Sequence, residues 1–595
     1  MKRKSNSNLI VIVIIAVVLL AGGLTYFFSS SGSSTGEPPT ATVPVVEVGG
    51  IELVPPASLA DIAAEVAVDY PQLAEMLDNP ELDSIYKDFY ITYLNGGEEA
   101  ALTMARQRGL LNENDDVVML LVLDDPTQTV PLIAELEAEG VTVESSYQEQ
   151  VNIIIPSALI LEQLEAESPD LIIERLSSLE HVIALRLPQK LTFEAGGTVG
   201  QGVAATLADQ WHAGGITGRG VKVGVLDLGF AGYEGLRGTE LPATVTTATF
   251  GNPAQFGVQV HGTAVAEIVH EMAPEAELFL AYFDGNPATM AEAVDWLLSQ
   301  PVDIISNSTS ISGISPMDGS GFIAALADKA HAAGVLWVSA AGNRADEHYR
   351  SVFSDTDGDT LHDFAPGSSG LPFTMKAGTV TNLILTWNDW AVADQDYDLI
   401  LYDSSGNLLA KSENFQGGQP GQTPMEVIGY RFDTAGTYLL AVQNREGRAR
   451  GDARLDLFVY NGDVPTQFRV GEGSLGTPAD ALGALAVGAV NWSSDALEIY
   501  SSQGPTSDGR IKPDLVAPSA VKSVSYAPSI FDGTSAATPH VSGAAALILQ
   551  ANPDFGPDEL INQLKSRAIP LGQTLPSNQF GVGRLTLGEL GAAAQ

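Results

Sequence analysis

From Gly220 onward the chain alternates between near-continuous apolar runs and stretches with helical spacing. "VKVGVLD", "VDIISNS", "VLWVSAAGN" and "LGALAVGAV" are apolar on both faces, the mark of parallel strands covered on both sides. Between them, "TAVAEIVHEM" places Ala264, Ile268 and Met272 on one stripe, and "GFIAALADKAHAAG" reads as a helix stopped by glycine. The alternation predicts an α/β domain with a doubly wound, mostly parallel sheet, carried by residues 200–350 and 469–595. Residues 351–468 interrupt it. There "NLILTWND", "YDLILYDSSGN", "YRFDTAGTYLLAVQN" and "RLDLFVYNG" are strands separated by Gly, Asn and Asp turns, without a helical stretch. An inserted antiparallel β-sandwich is expected.

Upstream the texture differs again. Residues 51–110 carry helical spacing. Residues 111–195 form a small α+β unit, with strands at "VVMLLVL", "VNIIIP" and "VIALRLPQKL" and helices at "TVPLIAELEAEG" and "SALILEQLEAE". Residues 29–50, rich in Ser, Gly, Pro and Thr, suit an extended tether. Residues 9–28 are twenty positions with almost nothing polar, long enough to span a bilayer core. Lys2, Arg3 and Lys4 precede them in the basic tail 1–8, and no Lys or Arg recurs before Lys87. That asymmetry predicts a signal anchor with its N-terminus inside and the bulk of the chain outside, at the cell membrane or secreted after processing. A cleaved signal peptide is the alternative.

Composition narrows the chemistry. With 595 residues, several domains are expected. A formal charge of −44 repels phosphate backbones, so no nucleic-acid partner is expected. Without cysteine, thiolate catalysis and cysteine-ligated zinc are excluded.

In open α/β sheets, functional groups gather beyond the carboxyl ends of the strands. Those ends present Asp227 after "VKVGVL" and Asn343 after "VLWVSAAG", while His261 and Ser535 open helices in "VHGTAVAE" and "FDGTSAATPHVSGAAALIL". A serine hydroxyl needs a base to take its proton, and the base needs an anion to hold its tautomer. Asp227, His261 and Ser535 supply these three types. The N–H at a helix start and the Asn343 amide can both donate to a developing oxyanion. Singly, each residue has a plainer reading as a turn, a cap or a chance tripeptide; the joint set carries the weight.

With "GVKVGVLDLGF", "HGTAVAEIV", "VSAAGN", "YSSQGPTSDGRIKPDLVAP" and "FDGTSAATPHVSGAAAL" in view, the chain resembles the subtilisin-like serine peptidases over about 260 residues. The resemblance implies endopeptidase activity on polypeptides through an acyl-enzyme, without a catalytic cofactor. Asp227 would orient the imidazole, His261 act as general base then acid, Ser535 attack, and Asn343 stabilise the oxyanion. By the same analogy Ser308, in "SNSTSISG", would line the substrate cleft. Subtilisin has about 32 residues from Asp to His and about 157 from His to Ser. Here the gaps are 34 (261 − 227) and 274 (535 − 261). The excess in the second gap, about 117 residues, matches the block cut on texture alone. One position departs from the family pattern: Leu228 stands where a Ser or Thr usually follows the aspartate, which implies a lowered rate.

Many such peptidases carry a small α+β prodomain, and residues 111–195 resemble one; an accessory domain that is never removed is the alternative. Cleavage near Leu191–Val199 would release the enzyme from its anchor. The insertion resembles the pre-peptidase C-terminal domains of secreted bacterial proteases, through "TWND", "DYDLILYD" and "AGTYLLAV". Asp355, Asp357, Asp359 and Asp363 cluster around Gly358, a set of hard oxygens suited to structural calcium, although a solvated Asp-rich turn has the same composition. No H-E-x-x-H occurs, which disfavours a zinc peptidase. The expectation is a monomeric serine endopeptidase. Its rival is a weakly active surface protein that binds polysaccharide or protein through the sandwich.

Overall fold

The computed structural model describes Leu53, Met76, Leu77 and residues 79–590, apart from 113, 139–140, 167–170, 189–199 and 528. The expected basic tail, anchor and tether, and the expected cleavage region near Leu191–Val199, lie outside the described residues. Among the described residues, no helix is long and apolar enough to cross a membrane.

The chain enters through α1 (Ser84–Gln107), broken at Gly97, whose φ of 75° no helix accommodates. An α+β unit follows: β1 (Val117–Leu123), α2 (Thr129–Ala138), β2 (Thr142–Tyr147), β3 (Gln150–Ile155), α3 (Ser157–Glu165), α4 (Ile172–Ser177) and β4 (Val182–Arg186). Its sheet runs in the order β2-β3-β1-β4, with antiparallel neighbours throughout. The sequence pattern did not suggest β2. It is an edge strand of polar residues, "TVESSY", with little apolar alternation to betray it.

The α/β domain has seven parallel strands: β5 (Lys222–Asp227), β6 (Val245–Thr249), β7 (Glu277–Tyr282), β8 (Ile304–Asn307), β9 (Leu336–Ala340), β18 (Ala484–Asn491) and β19 (Leu515–Ser519). Their order is β19-β18-β9-β8-β5-β7-β6. Because side chains alternate along a strand, the sheet builds two cores. Val223, Val225, Leu336 and Val338 face α5 (His261–Met272) and α8 (Thr534–Ala551). Leu226, Ile305 and Trp337 face α6 (Pro287–Ser299) and α7 (Phe322–Ala332). Both faces are covered, as the unbroken apolar runs required.

Between β9 and β18 lie eight antiparallel strands: β10 (His348–Val352), β11 (Leu371–Met375), β12 (Thr379–Trp387), β13 (Tyr397–Asp403), β14 (Leu408–Ser412), β15 (Met425–Phe432), β16 (Gly436–Asn444) and β17 (Arg454–Val459). They form two sheets, β10-β17-β12-β15 and β11-β16-β13-β14, around a common aromatic core that includes Trp387, Tyr397, Phe373 and Phe432. The first strand begins at His348, three residues before the boundary at 351 that texture suggested. His348 is held there by stacking on Phe458 at 4.5 Å and by a 3.0 Å hydrogen bond between its Nε2 and Asp456 Oδ1. Ile384, Phe458 and Tyr460 join the core shared with α6 and α7, so the insertion is anchored by apolar burial as well as by its two chain crossings.

The N-terminal unit rests on the same two helices. The Tyr147 hydroxyl donates to Asp295 at 3.2 Å and accepts from Lys329 at 3.1 Å, and its ring meets Phe322 edge-on at 5.6 Å. Asn152 donates to Asn286 at 3.1 Å, the residue whose side chain caps α6.

Candidate active site

Adjacent parallel strands β9, β8 and β5 end side by side, which brings Asn343, Ser308 and Asp227 to one edge of the sheet. The helices α5 and α8 pack together over that edge and contribute His261 and Ser535 from their first turns. Asp227, His261, Ser308 and Ser535 are all buried.

Asp227 and His261 are joined directly. The imidazole Nδ1 lies 2.8 Å from Asp227 Oδ1 and 2.9 Å from Oδ2. That contact fixes the ring so that Nδ1 carries the hydrogen and Nε2 is the basic nitrogen. The approach depends on Gly262: a Cβ there would come within 2.7 Å of the Asp227 Cβ and 2.6 Å of the Phe230 ring. Phe531 closes the other side of the imidazole, edge-on at 5.6 Å.

Ser535 is held by a reciprocal pair. Its Oγ donates to the Ser308 carbonyl at 2.9 Å, and Ser308 Oγ donates to the Ser535 carbonyl at 3.1 Å. Ser308 is therefore buried against Ser535, with its side chain turned to that backbone. Gly533, at φ 95°, makes the turn that delivers Ser535 to the helix start. Asn343 lies half-buried beside it, with Oδ1 accepting from Thr534 N at 2.9 Å and from Thr534 Oγ1 at 3.0 Å. With the oxygen so engaged, the amide nitrogen is the end left to donate. Thr534 was not singled out in the sequence, although it sits in the Gly-Thr-Ser tripeptide; its part emerges only when β9 and α8 meet.

Leu228 packs in the core with Phe279 and Val294 and offers Asp227 only its backbone N–H, at 2.8 Å from Oδ1. Leu228→Ser would add a hydroxyl donor to that carboxylate. It is expected to raise kcat by about threefold to tenfold, the size of one net hydrogen bond, checked by steady-state hydrolysis of a chromogenic peptide.

A second buried carboxylate also went unnoticed in the sequence. Glu267, on α5, accepts from Val524 N at 2.6 Å and Ser525 N at 3.1 Å, tying the loop before Ser535 to the helix that bears His261. One turn on, Glu271 is pushed up to about 7 by burial, opposed by the Gly200 N–H and reinforced by Glu267 and Glu240. A carboxyl whose pKa is raised in the folded state contributes stability below its unfolded value near 4.5 and loses it as pH rises through about 7. Glu271→Gln is thus expected to leave Tm unchanged near pH 4.5. At pH 8 it should raise stability by about 1–2 kcal/mol, after allowance for residual solvent screening; thermal melts at the two pH values check this.

The acidic cluster lies at the entry to the insertion. Carboxylate oxygens of Asp355, Asp357 and Asp359 fall within 4.8 Å of one another and could hold a metal ion. Asp363 is not in this group; its Oδ2 accepts from Thr356 N and Oγ1, both at 2.7 Å.

Residues 218–413 and 449–583, more than half of the chain, match the Subtilase family. The unmatched stretch between them falls inside the sandwich. Over 113 residues the chain is 40% identical to the alkaline elastase YaB of Bacillus sp. (strain YaB), covering 19% of this chain and 28% of that protein. Over 116 residues it is 38% identical to subtilisin Savinase of Lederbergia lenta, covering 19% and 39%. These stretches span less than half of either relative. Among solved structures, the CspB protease of Clostridium perfringens aligns with a TM-score of 0.46 and 19% identity, over 65% of this chain and 97% of that one. With more than half of its length matched, this chain belongs to the subtilase family of serine peptidases.

Proposed function

We propose that the protein is an exported endopeptidase that cleaves polypeptides through an acyl-enzyme on Ser535. The observation that carries this reading is the 2.8–2.9 Å contact of Asp227 with His261 Nδ1, at the edge where Ser535 and Asn343 also converge. His261 Nε2 takes the hydroxyl proton as Ser535 Oγ attacks the scissile carbonyl, and returns it to the leaving amine. Asp227 stabilises the imidazolium. The Asn343 amide nitrogen and the Ser535 N–H receive the oxyanion. Ser535 Oγ must leave the Ser308 carbonyl to do this. Ser308, buried as a whole residue, would reach substrate only once its bonds with Ser535 open.

Residues 111–195 act as a prodomain in this reading. In the full chain Ser535 is 0% and His261 1% exposed, so a polypeptide reaches them only after whatever covers them moves. Cleavage between the unit and the α/β domain would also free the enzyme from the membrane. The test is labelling with a fluorophosphonate probe, expected in the wild type and absent in Ser535→Ala and His261→Ala; equal labelling of all three would reject the assignment. Calcium at Asp355, Asp357 and Asp359 would stiffen the exit from the Asn343 loop. Chelation is expected to lower Tm by about 2 °C while leaving probe labelling intact, as read by melts with and without EDTA.

A further inference from the structure

The sandwich has an open side. Strand β14 ends one sheet and β15 ends the other, and the two lie against each other, with Val427 N donating to Ser412 Oγ at 3.2 Å. Edge strands expose backbone groups that invite pairing with other chains, so a long uncovered edge is a liability. Here α1, which shares a core with the α+β unit and with it makes up the N-terminal unit, and the end of β4 cover it. Asn414 Oδ1 accepts from Ser84 N at 2.6 Å, and Glu413 N donates to Ser84 Oγ at 3.2 Å. At the far end of α1, Arg108 is only 4% exposed; its Nη2 donates to the Lys411 carbonyl on β14 at 2.7 Å, while Nη1 pairs with Asp88 at 2.5 Å. Arg186, at the end of β4, donates to the Gly421 carbonyl at 3.2 Å.

The sandwich is also shaped for this contact. A Cβ on Gly429, in β15, would lie 2.5 Å from the Arg108 carbonyl oxygen, and one on Gly421 would lie 3.0 Å from the Ile183 carbonyl. Gly429 does not have a positive φ, so its own backbone would accept a side chain. What excludes the side chain is the neighbouring unit. The three parts meet around a cavity of about 400 Å³, lined by Leu120 and Asn152 of the N-terminal unit, Ile314 and Phe322 of the α/β domain, and Phe415 and Met425 of the insertion.

We infer that the β14–β15 edge of the inserted sandwich is a second seat for this chain's own N-terminal unit, in addition to α6 and α7, and that it retains the unit after the connecting chain is cut. The inference rests on the proposed reading of residues 111–195 as a unit severed during maturation. On this account cleavage alone does not release the unit. Release follows when the sandwich contact opens.

The test uses the full chain carrying Ser535→Ala, with the recognition sequence of an unrelated protease placed within residues 191–199. After cutting, the two fragments are expected to co-elute on size exclusion. Gly429→Ala, which wedges the seat, should speed dissociation of the N-terminal fragment by about tenfold or more, and Asn414→Ala, which removes the bond to Ser84, by about threefold to tenfold. Melting of the uncut variants shows whether the sandwich has folded; Asn414, only half-buried, is the substitution to read if Gly429→Ala lowers Tm. Prompt separation of the parent fragments, or dissociation unchanged in folded Asn414→Ala, overturns the inference. Because the cut is external and Ser535 is absent, neither result depends on whether Ser535 is the nucleophile; fluorophosphonate labelling of the wild type reports that separately.

Discussion

Ser535→Ala is expected to abolish peptide hydrolysis, lowering kcat by about 10⁶-fold, a magnitude borrowed from subtilisin, where losing the serine or the histidine has that effect. The alanine variant should remain folded, because Ser535 Oγ makes a single hydrogen bond, to the Ser308 carbonyl. No cysteine is present to substitute as nucleophile. His261→Ala should cost about as much, and the double variant little more, since serine and base act as one unit. The same substitution should block maturation. Wild-type protein is expected to shed a fragment of about 400 residues, the length beyond residue 195, and Ser535→Ala is not. Hydrolysis of a denatured polypeptide and immunoblotting of the culture medium read the two effects; equal shedding by both forms would remove self-processing from the account.

Arg445→Met is expected to cost about 3–5 kcal/mol of stability at pH 9, where Asp398 is charged, the cost of orphaning buried charge. Arg445 Nε lies 2.5 Å from Asp398 Oδ2, and its Nη2 pairs with Glu413; both carboxylates are almost wholly buried. Burial drives Asp398 up to about 8, with Arg445 the main opposing influence and Asp396 and Glu413 adding to the rise. Glu426, whose Oε1 accepts from Gln416 at 2.8 Å, is pushed well above the usual carboxylate range by burial and by Asp398. Without the guanidinium, Asp398 rises further. Its contribution is present at low pH and lost as pH climbs through the folded value, so the penalty should be larger at pH 9 than at pH 5. Urea titrations at both pH values check this. The insertion lies between Asn343 and Ser535 in the chain, and its Phe458 and Tyr460 share a core with α6 and α7.

The runs "VKVGVLD" and "VLWVSAAGN" were legible because strands covered on both faces must be apolar throughout; Asp227 ends the first strand and Asn343 follows the second by three residues. The polar edge strands β2 and β6 were not, since "TVESSY" and "VTTAT" derive their structure from one neighbour's backbone rather than from burial. The insertion was visible as a break in texture and as excess spacing between His261 and Ser535. Its starting strand was missed by three residues because the reason for His348 being there, Asp456 and Phe458, lies more than a hundred positions away. The same limit hid Thr534 behind Asn343, Glu267 under the 524–525 loop, and Gly429 against Arg108. Each is a contact between distant segments, and no local pattern encodes it. Asp363 shows the converse: proximity in sequence suggested a fourth ligand, but its carboxylate lies outside the group that Asp355, Asp357 and Asp359 form.

Trapping the acyl-enzyme tests the central claim most directly. Mature protein mixed with an activated peptide ester and quenched in acid within the first turnover should gain the mass of the acyl group, and peptide mapping should place it on Ser535. Hydrolysis of the ester with no adduct, or with the adduct on any residue other than Ser535, would contradict the account.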